Sequence, residues 1–354
     1  MFMLYFGINV FVSLFSWLHG LSPKLREHRV FYILMGAFLV LLIGLRGNED
    51  EYTRLFIKVP ELTSFFSDTR VALETGFGFA FICSALKTIG FDSQALLFLF
   101  AFTAIATNLY YFNKYTKYFF LAMLIYLSHE VIHHEWIQIR AGLISALVLP
   151  QIHLISQKKY KSFLVLLLLG FSIHYLAILS VLLLFLNHKY GFSHLLILLL
   201  SGLTFKLAGA TTILIDILDR HALLPARVEL YLIWDVYNYK VSLLHPKILQ
   251  QIITSFVVLF IYYKVKYFRS NYFIINTYLL STILLVSFSD FAILGFRSAT
   301  HFVCVEPILI TLFLNHFKHP KLMQTLTILL FVMISYINYI HNGAISEYLL
   351  FVRQ

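Results

Sequence analysis

The sequence predicts an all-α polytopic membrane protein with about 10–12 hydrophobic helices, including half-membrane or non-crossing segments. Hydrophobic residues make up 60% of the 354 residues and the mean hydropathy is +0.82, whereas soluble domains are about 45–50% apolar. The apolar residues form continuous runs of about 20, enough for a helix to span a bilayer, and do not alternate as in a β-barrel. The net charge is +10, but its basic residues are scattered over short loops, so nucleic acid is not an expected partner.

The apolar runs are the candidate helices, and short polar stretches separate them. In order they cover residues 2–18, 30–45, 75–90, 94–112, 118–133, 137–156, 162–186, 192–210, 248–264, 272–290, 297–315 and 322–341. The first lacks a basic start, so we interpret it as a membrane helix and not as a cleavable signal peptide. We find no internal repeat and expect one integral-membrane domain over residues 1–354, with outer loops at 46–74 and 211–247. Cys83 and Cys304 lie in apolar runs, which predicts no disulfide.

Lysine and arginine residues in the short loops predict the orientation of the helices. The basic residues at 24–29 place the first loop in the cytoplasm, and those at 114–117 and 158–161 favour the same side. Twelve alternating spans would put the last two groups outside. The conflict disappears if residues 75–90 and 162–186 do not cross the membrane, the second as two half-length helices joined by a turn near their middle.

This topology brings several ionisable residues to the outer face or the outer half of the membrane. They are the residues of the Arg46 loop, Glu74, the region from His129 to Arg140, His174 at the predicted turn, Arg227 and Arg297. Ionisable groups at membrane depth are costly and are usually functional or paired. Their convergence on one side predicts a functional site there.

The stretch from Arg46 to Glu51 places four charges within six residues at the end of an apolar run. An arginine at the membrane edge can hold a phosphate by two parallel hydrogen bonds. The carboxylates of Glu49, Asp50 and Glu51 are candidate general bases. An ordinary solvated loop with an interfacial arginine would explain the same residues, so this stretch alone leaves both interpretations open.

Residues 129–133, His-Glu-Val-Ile-His, match the HExxH pattern of zinc proteases, in which two imidazoles lie one helical turn apart beside a glutamate base. In a chain with 15 histidines, the match is suggestive and not decisive. A zinc site needs a third ligand, and the Asp-Gly motif that supplies it in intramembrane metalloproteases is absent. A polar cap at the membrane edge is the alternative, and we predict no metal at the functional site.

Three further features each have a functional and a structural interpretation. Arg140 stands at a helix start, which is unfavourable for a cation, so its partner is either Glu130 or Glu135 or a ligand phosphate. His174, in an apolar run, is either a satisfied core histidine or a catalytic one. Residues 213–220 predict an amphipathic helix on the membrane surface.

Two pairs of residues share a helical face. Arg227 and Tyr231 are spaced i, i+4, as are Arg297 and His301, and such neighbours lie side by side on a helix. Either pair would suit substrate binding. An ion pair between Asp290 and Arg297 is the structural alternative for the second pair.

Together and in this order, these residues resemble the EpsG-like family of bacterial polysaccharide polymerases, relatives of the Wzy O-antigen polymerases. The resemblance runs from about residue 30 to the C-terminus. It rests on Arg46 with Asp50-Glu51-Tyr52, Glu74-Thr75-Gly76-Phe77, Ile139-Arg140-Ala141-Gly142-Leu143, His174, Arg227 with Tyr231, and Arg297 with His301-Phe302. The chain departs from the family pattern in its three acidic residues before Tyr52, which leave the catalytic carboxylate ambiguous, and in Ala141, where the family favours glutamine.

The resemblance implies a metal-independent membrane glycosyltransferase, similar in fold to GT-C-like enzymes, at the periplasmic face of the bacterial inner membrane. It would transfer a growing glycan from one undecaprenyl diphosphate to the next lipid-linked repeat unit, in O-antigen (lipopolysaccharide) or exopolysaccharide synthesis. The implied substrate-binding residues are Arg46, Arg140, Arg227, Tyr231, Arg297 and His301, and the implied bases are Glu74, Glu49, Asp50 and Glu51, with His174 as a rival. No cofactor is implied. The implied partners are the lipid-linked glycan, the bilayer, and a chain-length regulator and a flippase of the same pathway.

Two other functional classes stay open at this point. An intramembrane zinc metalloprotease would need a third ligand near His129 and His133. A non-enzymatic transporter of the same lipid-linked glycan should show inverted repeats, and the sequence has none that we detect.

Overall fold

The computed structural model describes residues 2–21, 29–46, 51–67, 70–131, 134, 137–221, 239–264 and 271–338. Throughout these ranges the regular structure is helical, which confirms the predicted all-α class. The helices are α1 (Phe2–Leu21), α2 (Arg29–Gly44), α3 (Glu51–Lys58), α4 (Leu62–Phe65), α5 (Arg70–Thr75), α6 (Phe77–Thr88), α7 (Ser93–Tyr115), α8 (Phe119–Ile125), α9 (Ile139–Ala146), α10 (Val148–Ser156), α11 (Tyr160–Ile173), α12 (Leu183–Leu186), α13 (Phe192–Leu207), α14 (Ala210–Arg220), α15 (Pro246–Lys264), α16 (Tyr272–Ser287), α17 (Ala292–Val303), α18 (Glu306–Phe313) and α19 (Pro320–Tyr336).

Several of the described helices are suited to a bilayer. Ser93–Tyr115, Ile139–Ser156 and Pro246–Lys264 are each long and apolar enough to cross a membrane, and two bent helix pairs raise the number of candidate spans to five. Eight further apolar helical stretches of the described part, among them Tyr5–Leu18 within α1, have 10–17 residues, fewer than the roughly 20 that a straight crossing needs. The chain is therefore a polytopic helical membrane protein with short segments, as predicted.

The chain divides into two compact units, residues 1–180 with 306–354, and residues 181–305. The first unit contains α1–α11, α18 and α19, and the second contains α12–α17. The expectation of a single domain stays a prediction. Cys83 and Cys304 are both buried and form no disulfide.

The predicted outer loop at 46–74 is largely helical in the first unit. Its helix α3 buries Tyr52 and Phe56 in an aromatic and aliphatic cluster with Phe79 of α6 and Phe100 of α7. Lys87 Nζ donates to the carbonyl oxygens of Ile57 and Val59, at 3.0 and 2.5 Å. Because the last carbonyls of a helix have no intrahelical donors, this lysine closes the C-terminal end of α3 and holds α3 against α6.

The predicted turn in segment 162–186 is confirmed at His174. Helix α11 ends at Ile173, and His174 adopts an extended conformation with φ −154° and ψ 129° before a 3₁₀ helix begins. A Cβ placed on Gly170 would lie only 3.2 Å from Cβ of Ala177, whereas seven residues of continuous helix rise about 10.5 Å. The helix is therefore broken at His174, while the return of the second half toward the cytoplasm stays a prediction.

The predicted helix at 297–315 is wrong in its bounds. Helix α17 begins at Ala292 and ends at Val303, and α18 starts anew at Glu306. Pro307 explains the break, because a proline ring clashes with the carbonyl four residues earlier, here that of Val303. Arg297 consequently lies in the middle of a helix and not at its outer end.

The second unit is held by buried polar contacts. Lys206 Nζ lies 2.6 Å from Asp290 Oδ1, and both side chains are largely buried. Ser281 Oγ donates to the carbonyl of Ala299 at 2.8 Å, which ties α16 to α17.

Helix α14, bent 68° from α13, exposes several large apolar side chains and an i, i+4 ion pair between Asp216 and Arg220. It is the amphipathic helix that the sequence predicts.

Candidate functional site

Arg140 of α9 is the centre of the candidate site. The guanidinium Nη1 donates to the carbonyl oxygen of Thr75. The guanidinium carbon lies 4.8 Å from the ring centroid of Phe79 and 6.0 Å from that of Tyr52. Nε is buried and has no hydrogen-bond partner among the described residues, and no carboxylate among them forms an ion pair with this arginine. The suggested ion pair with Glu130 is therefore absent.

The position of Arg140 follows from the local sequence. The residue before α9, Gln138, provides no side-chain cap for the helix, so the first N–H groups of α9 add positive potential beside the arginine. Tyr52 Oη donates to the carbonyl of Ile137 at 3.5 Å, which links α3 to the same helix start. The aromatic faces of Tyr52 and Phe79 stabilise the cation without neutralising it.

The corner between α5 and α6 provides the acceptor for Arg140. Gly76 has φ +104°, a conformation that L side chains rarely adopt, and a Cβ there would lie 2.9 Å from the carbonyl oxygen of Ile173. Glycine is required at this corner both for its φ and for the close approach of α11. Glu74 is the residue before Thr75 in α5, and its side chain lies outside the described part of the structure.

His174 stands at the end of α11, next to the residue that packs on Gly76. The backbone N–H of Leu176 donates to Nδ1 of His174 at 3.3 Å, and the imidazole stacks on Tyr175 with centroids 4.6 Å apart. Because Nδ1 accepts, a neutral ring carries its proton on Nε2. That tautomer suits a hydrogen-bond donor to a ligand, and it disfavours His174 as the general base.

Arg140 and the backbone segments that carry Glu74 and His174 thus come together in the first unit, although they are distant in sequence. Arg140 bonds to the carbonyl that follows Glu74, and the same corner packs on the backbone beside His174. Tyr52, Phe79, Ile139 and Ile173 belong to one hydrophobic cluster beneath them. The structure therefore brings together the Arg140 guanidinium, the α5–α6 corner whose sequence includes Glu74, and the backbone next to His174.

Arg46 is fully buried, with 0% of its surface exposed, and its position at the membrane edge stays a prediction. Its Nη1 donates to the carbonyl of Ile43 at 3.2 Å. The preceding turn is tightly packed, since a Cβ on Gly44 would lie 2.9 Å from the Phe98 ring. Arg46 is not among the contacts of Arg140.

Arg297 and His301 belong to α17 in the second unit, half-buried and buried respectively. The only carboxylate suggested for Arg297 was that of Asp290, and the described contacts of Asp290 are with Lys206. The structural alternative, an Asp290–Arg297 ion pair, is therefore wrong, because Lys206 of α13 lies next to Asp290 instead.

The remaining predicted residues cannot be placed. Glu49, Asp50, Arg227, Tyr231, His133 and Glu135 lie outside the described residues, as does the side chain of Glu51 at the start of α3.

The first half of the HExxH pattern meets a residue that sequence reasoning did not connect with it. His129 Nε2 lies 3.1 Å from Oε2 of Glu306 and 3.9 Å from Oε1 of Glu130. A carboxylate inside an apolar run, directly before a proline, was the available signal for Glu306.

Comparison with known proteins gives one positive result. The family model of the EpsG family matches residues 29–351, while no curated protein and no solved structure matches the chain. The match extends over nearly the whole chain and includes every residue of the candidate site. It favours neither the protease nor the transporter, because EpsG is a family of Wzy-like polysaccharide polymerases. The chain belongs to the EpsG family.

Proposed function

We propose that this protein joins undecaprenyl-diphosphate-linked oligosaccharide repeat units into polysaccharide at the periplasmic face of the bacterial inner membrane. The observation that carries this proposal is the Arg140 guanidinium, which has no carboxylate partner among the described residues and lies on aromatic faces. A cation in a water-poor site is costly unless an anion joins it. The diphosphate of the donor lipid would supply that anion.

The chemistry needs a cation and a base at one place. The acceptor sugar hydroxyl attacks the anomeric carbon of the donor glycan, the bond from that carbon to the diphosphate oxygen breaks, and the hydroxyl proton passes to the base. Arg140 stabilises the charge that develops on the leaving diphosphate. We assign the base to Glu74, with the carboxylates at 49–51 as alternatives, because Glu74 directly precedes the residue that accepts from Arg140.

His174 receives a supporting role in this proposal. With its proton on Nε2, it would donate a hydrogen bond to an oxygen of the sugar or the diphosphate. The turn that carries it is held against Gly76, so its place beside the α5–α6 corner is determined by backbone packing and not by a flexible side chain.

An apolar groove on the first unit suits the lipid tail. It has a volume of about 480 Å³ and runs between α2 and α7, where its lining includes Tyr32, Gly36, Leu41, Phe98 and Leu109. A Cβ on Gly36 would lie 3.2 Å from Leu109, so this glycine keeps the two helices close. The groove reaches Phe98, which packs on the turn that precedes Arg46. Arg46 follows this turn, but it is fully buried and does not line the groove, so Arg140 remains the favoured residue to bind the diphosphate.

The test is the glycan phenotype of a deletion strain. We expect lipid-linked single repeat units to accumulate in place of long polymers, and the intact gene to restore them. Accumulation of the lipid-linked unit on the cytoplasmic side of the membrane would indicate a transporter instead. Normal polymer in the deletion strain would overturn the proposal.

A further inference from the structure

The second polar cluster of the first unit lies where α8 ends. Helix α8 continues as a π-helical turn over Tyr126–Glu130, and π-helical turns are frequent at functional sites. The turn carries His129 and Glu130, and Glu306 begins α18. Their side chains are almost completely enclosed, with 8%, 1% and 0% of the surface exposed.

The three side chains face one another closely enough to share an ion. One ligand atom from each lies within 4.8 Å of the others, with His129 Nε2 at 3.1 Å from Glu306 and 3.9 Å from Glu130. Nitrogen and oxygen ligands lie about 2.0–2.2 Å from a bound Zn²⁺. Two neighbouring ligands of one ion are then separated by about 2.8–3.6 Å in octahedral or tetrahedral arrangements. The 3.1 Å distance fits directly, and the 3.9 Å distance is a few tenths of an ångström longer than this range.

The hydrogen bond of His129 with Ser128 determines which ring nitrogen is available to a metal ion. Ser128 Oγ lies 2.6 Å from the carbonyl of Ile125 and 3.0 Å from Nδ1 of His129. The single hydroxyl proton must go to the carbonyl, which cannot donate, so Nδ1 carries a proton and donates to Ser128. In a neutral ring Nε2 then presents a lone pair toward Glu306. Metal-binding histidines are held in this way, by a hydrogen bond from the other ring nitrogen.

The chemistry of the three side chains indicates which ion the cluster would bind. Imidazole with carboxylate ligands and no thiolate suits divalent transition metals such as Zn²⁺ or Mn²⁺.

We propose that His129, Glu130 and Glu306 bind a divalent transition-metal ion that ties the π-helical turn to the start of α18. The ion is structural and takes no part in the diphosphate chemistry assigned to Arg140. This proposal does not rest on the polymerase function, because the test contains no glycan.

The test uses Zn²⁺ as the probe and the purified full-length protein in detergent. Wild-type protein, washed briefly with chelator, is expected to retain about one equivalent of zinc by elemental analysis, and added Zn²⁺ should raise its Tm. Glu306→Gln should lose the bound zinc and the Tm response. Glu61→Gln, a matched change at an exposed glutamate, should keep both. Ser128→Ala should weaken zinc binding by about 10- to 100-fold, since it removes the hydrogen bond that orients His129.

Wild-type protein without bound zinc and without a Tm response to Zn²⁺ or Mn²⁺ would overturn the proposal, and His129 and Glu306 would then share a proton only. This outcome needs no variant, so poor folding of Glu306→Gln cannot obscure it. Zinc retained by both glutamine variants would also overturn it, because the ion would then be bound elsewhere.

Discussion

Substitution of Arg140 by lysine separates a diphosphate-binding arginine from a structural one. Lysine keeps the charge but cannot form two parallel hydrogen bonds, and it stacks less well on an aromatic ring, here that of Phe79, which lies 4.8 Å from the guanidinium carbon. Loss of a charge-assisted contact in a water-poor site should cost about 2–4 kcal/mol of transition-state stabilisation, a rate loss of about 30- to 1000-fold. Polymer should shorten strongly while protein abundance stays near normal.

The assay is the glycan length distribution on a gel, measured beside the membrane protein level. Arg220→Lys is the matched control, because Arg220 forms an exposed i, i+4 ion pair with Asp216, and such pairs contribute little. Arg46→Lys and Arg297→Lys are scored in the same way. A well-expressed Arg140→Lys protein that makes full-length polymer would refute the diphosphate assignment. Low abundance of Arg140→Ala with normal polymer per molecule would indicate that Arg140 only supports the fold.

Four further predictions follow from single features of the first unit. Gly76→Ala should destabilise the protein by at least about 1–3 kcal/mol, because alanine strains the positive φ and meets the carbonyl of Ile173; an unchanged Tm in detergent would contradict this. Lys87→Met should lower the stability of α3 by about 1–2 kcal/mol, because it leaves the last carbonyls of that helix without hydrogen-bond donors. Proteolysis between α3 and α4 should become faster, and an unchanged cleavage rate would contradict the role of Lys87 at the end of α3. A cysteine at position 159 should resist a membrane-impermeant thiol reagent in intact cells, whereas a cysteine at position 87 should react; labelling at 159 would end the non-crossing topology. Polymerisation by the purified protein should proceed without added divalent metal and survive brief treatment with chelator. If chelation stops polymerisation and Mg²⁺ restores it, the arginines do not suffice to neutralise the diphosphate. If Zn²⁺ alone restores it, the His129 cluster binds the required ion.

The sequence by itself determined the class of the protein and several local features. A continuous apolar run in a membrane must form a helix, because no water is present there and the backbone N–H and C=O groups must bond to one another. The turn at His174 was predictable from the basic residues on either side of a long apolar run, since charge in loops reports on topology. Arg140 stood out because a cation at a helix start requires compensation.

Only the tertiary structure decided which of these residues meet. Arg140 contacts a carbonyl 65 positions away, and His129 contacts Glu306 across 177 positions, whereas periodicity carries information over a few turns only. An Asp290–Arg297 pair was one of two interpretations that the sequence left open, and the packing of α13 against α16 brings Lys206 to Asp290 instead. Ion-pair partners depend on which helices become neighbours, and the shape of packed side chains determines that choice, so the pattern of charges along the chain does not reveal it.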